Sequence, residues 1–152
     1  MTVEIRKAVE TDIDILLGFE QGIVEAERPF NDPLKEGEIH YYDLIGLIRS
    51  DTAEVLVAVV DDEIVGSGYA KIRPAEPFQK FTEYAYLGFM YVKPAFRGKG
   101  INQKVLLALM DWAKSKKLTE VRLDVYDENL IAKNAYLKAG FKPNLLGMRL
   151  GI

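Results

Sequence analysis

A short run near the middle of the chain, Arg97-Gly98-Lys99-Gly100, has the composition of an anion-binding loop. A helix is predicted to begin directly after it, and a helix start exposes unpaired backbone N–H groups and the positive end of the helix dipole. The glycines permit a tight turn and a close approach of the backbone to a ligand. Arg97 and Lys99 add positive charge at the same place. The loop therefore predicts a phosphate site, although a turn that merely needs glycine is the simpler alternative.

The elements on either side of this loop form a β-α-β unit. An aromatic-rich strand is predicted over residues 84–92, an amphipathic helix over residues 101–117, and an alternating strand over residues 119–126. A crossover through a helix makes the two strands parallel. The loop thus lies at the end of the first strand, where the helix starts.

The rest of the chain predicts further strands and helices in the order β-α-α-β-β-β-α-β-α-β. Period-two alternation marks the strands, and Asp61-Asp62 lies at the turn of a predicted antiparallel hairpin. We therefore expect one α+β domain over residues 1–152, with a mixed, mostly antiparallel sheet. The predicted elements outside the β-α-β unit are a strand at 3–6, a helix with its apolar stripe from Ile13 to Val24, a helix from about 39 to 49, strands at 55–60 and 64–72, a short helix from 129 to 140 and a last strand at 141–150.

Composition excludes several classes of function. The chain has no cysteine and a single histidine, His40, which excludes disulfides, thiolate nucleophiles and multi-histidine metal sites. A net charge of −3 argues against binding nucleic acid. No apolar run approaches the ~20 residues of a membrane helix, and the first residues lack a signal-peptide pattern. We expect a cytoplasmic protein without a metal cofactor, a membrane or a nucleic acid as partner, and leave a monomer and a homodimer open.

Two motifs make the sequence resemble the GCN5-related N-acetyltransferase (GNAT) superfamily. A strand ending in Val92-Lys93-Pro94 leads into Arg97-x-x-Gly100, which is similar to the family's Arg/Gln-x-x-Gly-x-Gly/Ala signature. Downstream, Asn129, Ala132, Tyr136 and the Gly140-Phe141 pair follow the spacing of a second family signature. The resemblance covers the whole order of elements. It implies a central mixed sheet with a splayed parallel strand pair, and helices on both faces.

The resemblance also implies a set of roles in binding acetyl-CoA. Amides of the loop would hold the pyrophosphate, and the end of the first strand would pair with the pantetheine arm as an added strand would. Asn129 would hydrogen-bond the pantetheine, and Tyr136 would donate a proton to the departing thiolate. The residues expected to contact the cofactor are Met90, Tyr91, Val92, Arg97, Gly98, Lys99, Gly100, Ile101, Asn102, Gln103, Asn129 and Tyr136.

Two positions depart from the family pattern. Asn102 stands where the family has glycine or alanine, which places a side chain beside the pyrophosphate. Gly88 stands where many relatives carry the glutamate that deprotonates the amine. Glu83, at the start of the same strand, is a candidate for this base, and His40 is a weaker one because it lies in a predicted surface helix. Surface charge is the simpler reading of Glu83.

The acceptor pocket is expected to draw on a loop and a strand. Glu25 and Glu27 would attract a cationic amine, with Phe30 beside them in the same loop. Tyr84, Tyr86, Gly88 and Met90 share strand parity and should face one side, as a pocket wall or as ordinary core.

The resemblance thus implies transfer of an acetyl group from acetyl-CoA to a primary amine. Direct attack in a ternary complex is expected, since no cysteine can carry the acetyl group. A small-molecule acceptor is the first hypothesis, and a protein or peptide acceptor is an alternative. A noncatalytic acyl-CoA-binding or regulatory domain is another alternative, motivated by Gly88 and Asn102. A dinucleotide-binding module is a poor fit, because Gln103 stands where its third glycine belongs.

Overall fold

The computed structural model describes residues 1–152, and its strands form one five-stranded sheet in the order β1-β2-β3-β4-β5. Apart from short 3₁₀ turns, the remaining regular structure is four helices, and none of them has the length and hydropathy of a membrane-crossing segment. The strands are β1 (Glu4–Lys7), β2 (Ala53–Val60), β3 (Glu63–Pro74), β4 (Glu83–Val92) and β5 (Val121–Leu123), and the helices are α1 (Ile13–Glu27), α2 (Leu44–Arg49), α3 (Ile101–Ser115) and α4 (Leu130–Lys138).

The sheet is mixed, as the sequence predicts. Strands β1 to β4 pair antiparallel, whereas β4 and β5 pair parallel. The predicted hairpin joins β2 to β3, and Asp61 and Asp62 both have positive φ angles, 48° and 64°. Two successive residues with positive φ form the turn whose twist matches the twist of antiparallel strands.

Helices cover both faces of the sheet, which confirms the predicted layers. On one face α1 and α2 pack through a buried cluster that includes Leu16, Phe19 and Val57. On the other face α3 packs through Ile101, Val105 and Leu109, which recur every fourth residue and so form one apolar stripe. Helix α4 adds Tyr136 to the margin of this second cluster.

A β-bulge divides β4 into two halves. Phe89 has a φ of 57°, and the register between β3 and β4 shifts between Ser67 and Tyr69. The bulge reverses the alternation, so Met90 packs with the α3 face while Tyr91 contacts Phe19 on the α1 face, with ring centroids 4.8 Å apart. The expectation that Met90 shares a face with Tyr84, Tyr86 and Gly88 is therefore wrong, because strand parity holds only where no bulge intervenes.

The predicted last strand is absent. Residues 141–152 form no strand or helix, and every residue from Lys142 onward is exposed, including Leu146, Met148 and Leu150. Alternating apolar residues make a strand only where a neighbour pairs with their backbone groups. Here β5 ends at Leu123 and takes no further partner, so the sheet ends with it. The second predicted helix is also shorter, since α2 begins at Leu44 and not near residue 39.

A buried carboxylate holds the segment before α2 against α1. Glu20 has no exposed surface, and it accepts hydrogen bonds from the backbone N–H groups of Tyr41 (2.8 Å) and Tyr42 (2.9 Å). His40 Nδ1 lies 2.8 Å from the other oxygen of Glu20. The structure thus engages His40, a sequence candidate for the base, in an ion pair with Glu20.

The His40–Glu20 contact predicts a pH dependence of stability. The hydrogen bond to Glu20 raises the pKa of His40 above its ordinary value. A raised folded-state pKa gives stability that is complete below the unfolded pKa of about 6.5 and is lost as the pH rises through the folded value. We expect the free energy of unfolding, measured by urea titration, to fall above this pH in the native protein and to stay nearly flat in His40→Asn. Parallel profiles for the two proteins would contradict this role.

Candidate active site

The glycine loop, residues 97–100, leaves open space at the start of α3. Gly98 and Gly100 have positive φ angles of 76° and 79°, and no atom lies within 4 Å of a Cβ built on either residue. Gly100 is the N-cap of α3, in the left-handed conformation. The unpaired N–H groups at the start of α3 therefore follow a loop with open space around its glycines, which suits an anion.

Side chains around the loop fix its position. The Nε of Arg97 donates to the carbonyl of Val92 (2.9 Å), which ties the loop to the end of β4. The side-chain amide of Gln103 donates to the carbonyl of Ala135 (3.1 Å), which ties the start of α3 to α4. Lys99 is exposed, and Asn102 is half-buried. Arg97 and Gln103 thus brace the loop, and Gln103 would contribute its backbone N–H to a ligand.

The two parallel strands separate directly beside this loop. Their pairing covers Ala85–Leu87 and Val121–Leu123 and then stops. Beyond Leu87, residues 88–92 pair with β3 alone, so their other edge has no strand partner. The expected splay is present, and it exposes the backbone of Met90, Tyr91 and Val92 toward the gap.

Asn129 and Tyr136 come from α4, on the α3 side of the gap. Asn129 caps the helix through its Oδ1, which accepts from the Ala132 N–H (3.3 Å), so its amide NH₂ remains available as a donor. The ring of Tyr136 packs edge-on against Phe141. Burial, together with the negative charge of Glu27, raises the pKa of Tyr136 to about 12. Tyr136 is therefore a protonated phenol at neutral pH and can donate a proton.

Glu27 lies at the end of α1, among phenols that belong to different elements. Burial raises the pKa of its carboxyl group, and an interaction with Tyr41 partly offsets this rise. Its negative charge helps to raise the pKa values of Tyr41, Tyr42 and Tyr136. The Tyr41 hydroxyl is buried and completes no hydrogen bond of normal geometry, although it lies close to this carboxylate. Glu27 is thus a half-buried carboxylate close to the Tyr41 hydroxyl.

The chain after α1 crosses to the segment after β5. The ring of Phe30 stacks on that of Tyr126, with centroids 6.2 Å apart, and Asn31 Nδ2 donates to the Tyr126 hydroxyl (2.8 Å). These contacts join the segment that follows α1 to the segment that follows β5, the strand on the other side of the splay. The sequence offered no signal for the role of Asn31, because its partner is 95 residues away.

Three residues expected at the site lie elsewhere. Glu83 begins β4, four residues before the pairing with β5 ends, which is roughly 13 Å along a strand. Tyr84 lies under the guanidinium of Arg122, 4.3 Å from the ring centroid. Glu25 is exposed and pairs with Arg28 (2.8 Å). The structure brings none of the three to the splay.

The space next to Gly88 is already occupied. A Cβ built on Gly88 would lie 2.6 Å from the ring of Tyr69, so this ring fills the position from which many relatives extend a glutamate. Tyr69 also lines a cavity of about 580 Å³, here called the tyrosine pocket. The pocket is lined by Tyr41, Tyr42, Tyr69 and Tyr86 together with Lys71 and Arg73, and by smaller residues of α2 and β2. The sequence analysis did not predict this wall, although the alternation of Tyr69, Lys71 and Arg73 along β3 could have indicated it.

Comparison with known proteins agrees with this geometry. The model of the acetyltransferase (GNAT) family matches residues 21–141. The chain is 28% identical over 115 residues to an aminoglycoside N(6')-acetyltransferase type 1 from Stenotrophomonas maltophilia, covering 74% of this chain and 70% of that protein. It is 31% identical over 111 residues to a mycothiol acetyltransferase from Renibacterium salmoninarum, covering 70% of this chain but only 32% of that protein.

Solved structures share the fold. A mutant protein from Bacillus halodurans superposes with a TM-score of 0.88 at 21% identity, over 98% of this chain and 99% of the other. A predicted acetyltransferase from Clostridium acetobutylicum, solved with acetyl-CoA, superposes with a TM-score of 0.76 at 19% identity, over 99% of this chain and 96% of the other.

The left-handed glycine at the start of α3 predicts the effect of adding one methyl group. Gly100→Ala should lower the free energy of unfolding by about 1–2 kcal/mol, because a residue with a Cβ is strained at this φ. The methyl group also enters the cradle, so we expect acetyl-CoA to bind at least ~10-fold more weakly by calorimetry, a cost of about 1.4 kcal/mol. Gly147→Ala, in the exposed C-terminal segment with open space around it, is the matched control. Equal binding by the two variants would contradict a ligand at this loop.

Proposed function

We propose, from the premise that this chain belongs to the acetyltransferase (GNAT) family, that it transfers the acetyl group of acetyl-CoA to a primary amine of a small molecule. One observation supports this most directly. Beyond Leu87 one edge of β4 has no strand partner, and this edge leads to the glycine loop at the start of α3, which Gln103 joins to α4, the helix of Tyr136. A donor bound along that edge would bring its thioester toward Tyr136 and toward Glu27, whose charge raises the pKa of Tyr136.

The residues present fit acetyl-CoA. The N–H groups at the start of α3 would hold the pyrophosphate, with Arg97 and Lys99 nearby. The edge of β4 over Met90, Tyr91 and Val92 would pair with the amide-containing arm as a strand does, and the Asn129 NH₂ would donate to it. The acetyl-CoA complex of the similar Clostridium structure supports this assignment. Bound acetyl-CoA supplies an activated thioester, and the chain orients it.

The chain's own groups can move both protons of the reaction. Glu27 would take a proton from the ammonium group of the acceptor, which makes the amine a nucleophile. As the C–N bond forms and the C–S bond breaks, Tyr136 would give its proton to the sulfur, so that the thiol leaves uncharged. The Tyr136 phenolate would then take the second proton of the amine nitrogen as the amide forms, and Glu27 would release its proton to solvent. A covalent acetyl-cysteine is excluded because the chain has no cysteine. The transfer is therefore direct, within a ternary complex.

We assign the role of general base to Glu27 because of its position and its environment. The sequence offered Glu83, which lies at the far end of β4. Burial of Glu27 raises its pKa toward neutral pH, which makes the carboxylate a stronger base. The tyrosine pocket next to it has the volume of a small-molecule site, which favours a small acceptor over a protein chain.

Removing the Tyr136 hydroxyl tests the proposed acid. We expect Tyr136→Phe to reduce turnover by about 10²-fold or more, because the thiolate then leaves without a proton. The affinity for acetyl-CoA should change little, since the ring and its packing on Phe141 are retained. Thiol release and calorimetry measure the two quantities. Undiminished turnover would remove Tyr136 from this role.

Neutralising Glu27 tests the proposed base against the alternative from the sequence. Glu27→Gln should lower kcat by about 10²-fold and remove the rise of activity with pH that the raised pKa of Glu27 produces. Glu83→Gln is the matched control and should keep native kcat and the native pH profile. The reverse result, a loss in Glu83→Gln with Glu27→Gln unaffected, would return the role to Glu83.

A further inference from the structure

Two cations line the tyrosine pocket without any acidic partner. Lys71 and Arg73 are half-buried on β3, and none of the chain's ion pairs includes either residue. Asp43 also lines the pocket, but its carboxylate accepts the Gly46 N–H as the N-cap of α2. The pocket therefore carries two positive charges whose hydrogen-bonding capacity is unused within the chain.

Aromatic rings hold these cations in place. The guanidinium of Arg73 lies 3.6 Å from the centroid of the Tyr86 ring. The Lys71 ammonium lies 5.6 Å from the Tyr69 ring and 6.0 Å from the Tyr86 ring. Burial lowers the pKa of Lys71, and the positive charge of Arg73 lowers it further, as expected for two like charges that repel each other. An anion between them would relieve this repulsion and satisfy both donors.

The cations lie at defined distances from the point of acetyl transfer. On the neighbouring β4 strand, Tyr69 pairs with Gly88, Lys71 with Tyr86 and Arg73 with Tyr84. At about 3.3 Å per residue, Lys71 is roughly 7 Å and Arg73 roughly 13 Å along the sheet from Gly88, where the splay begins. A molecule with its amine at the splay would thus place its other end beside these cations.

We propose that the acceptor is an amine whose remote end carries a carboxylate, and that Lys71 and Arg73 bind this carboxylate. The proposal rests on the acetyl transfer proposed above and specifies its substrate class. A short amino acid with several bonds between its two charged groups has the required length, and an apolar or aromatic body would contact the pocket's tyrosines. A polycationic amine would instead face two positive charges.

An acidic groove elsewhere on the surface does not lead to the same place. It is lined by Glu25, Glu36 and Glu38 between α1 and the loop that follows it. Arg28 already occupies it, donating to Glu25 and to the carbonyls of Lys35 (2.7 Å) and Gly37 (2.6 Å). No hydrophobic residue and no residue of β4 lines this groove, so it is separate from the tyrosine pocket.

Matched pairs of amines test the proposal. Thiol release from acetyl-CoA would be measured with para-(aminomethyl)benzoate against benzylamine, and with aminocaproate against hexylamine. We expect kcat/KM to be at least ~10-fold higher for the acid of at least one pair, a preference of about 1.4 kcal/mol. Lys71→Met and Arg73→Met should each reduce this preference several-fold, through KM for the acid.

The controls distinguish a failure of the proposed carboxylate site from a failure of the proposed acetyl transfer. Lys114→Met removes an exposed cation of α3 and should keep the native preference. An unchanged acetyl-CoA affinity in each variant shows that the fold persists. Acetylation of the amines without preference for the acids, or a preference that survives in both pocket variants, would overturn the carboxylate site and leave acetyl transfer intact. Absence of thiol release with every amine would overturn the acetyl transfer itself.

Discussion

The separation of β4 from β5 is the constraint on which the site depends. Parallel pairing stops at Leu87 and Leu123, and the bulge at Phe89 follows at once. Backbone N–H and C=O groups that lose a strand partner need another one. In this fold the unpaired groups of β4 border a gap, and the chain continues from β4 to the start of α3, where a second set of N–H groups is unpaired. One irregularity in a strand thus leaves an unpaired backbone edge next to the open glycine loop, and both belong to the acetyl-CoA site that we propose.

Helix α1 connects this gap with the pocket beside it. Glu20 and Glu27 are two turns apart and so lie on the same side of the helix. Glu20 is fully buried and holds the segment that carries Tyr41 and Tyr42, while Glu27 is half-buried among the phenols. Both oxygens of Glu20 contact the segment at 40–42, whereas no hydrogen bond of normal geometry holds Glu27. The same residue type therefore anchors the fold at one position, and at the other it is the base that we propose.

The sequence predicted the parts of the molecule that depend on local pattern. The glycine loop, the β-α-β unit and the hairpin follow from spacing and turn residues, and the structure has all three. It could not predict features that depend on distant partners. The alternation at 141–150 suggested a strand, but no partner pairs with it, and the parity of Met90 failed because a bulge leaves no signature in the alternation. Nothing in the sequence indicated that Glu20 is buried, since the backbone groups that it binds lie 21 and 22 residues later.

The bulge at Phe89 has a consequence for how this protein could diversify. It makes β4 two short strands with opposite alternation, so that Tyr86 before it lines the tyrosine pocket and Gly88 lies against Tyr69 of that pocket, while Met90 and Val92 after it pack under α3. Substitutions in the first half alter the wall that an acceptor would meet without moving the backbone edge in the second half. A lineage could thus exchange one acceptor for another by changing side chains on one side of a single residue, and keep the donor site unchanged throughout.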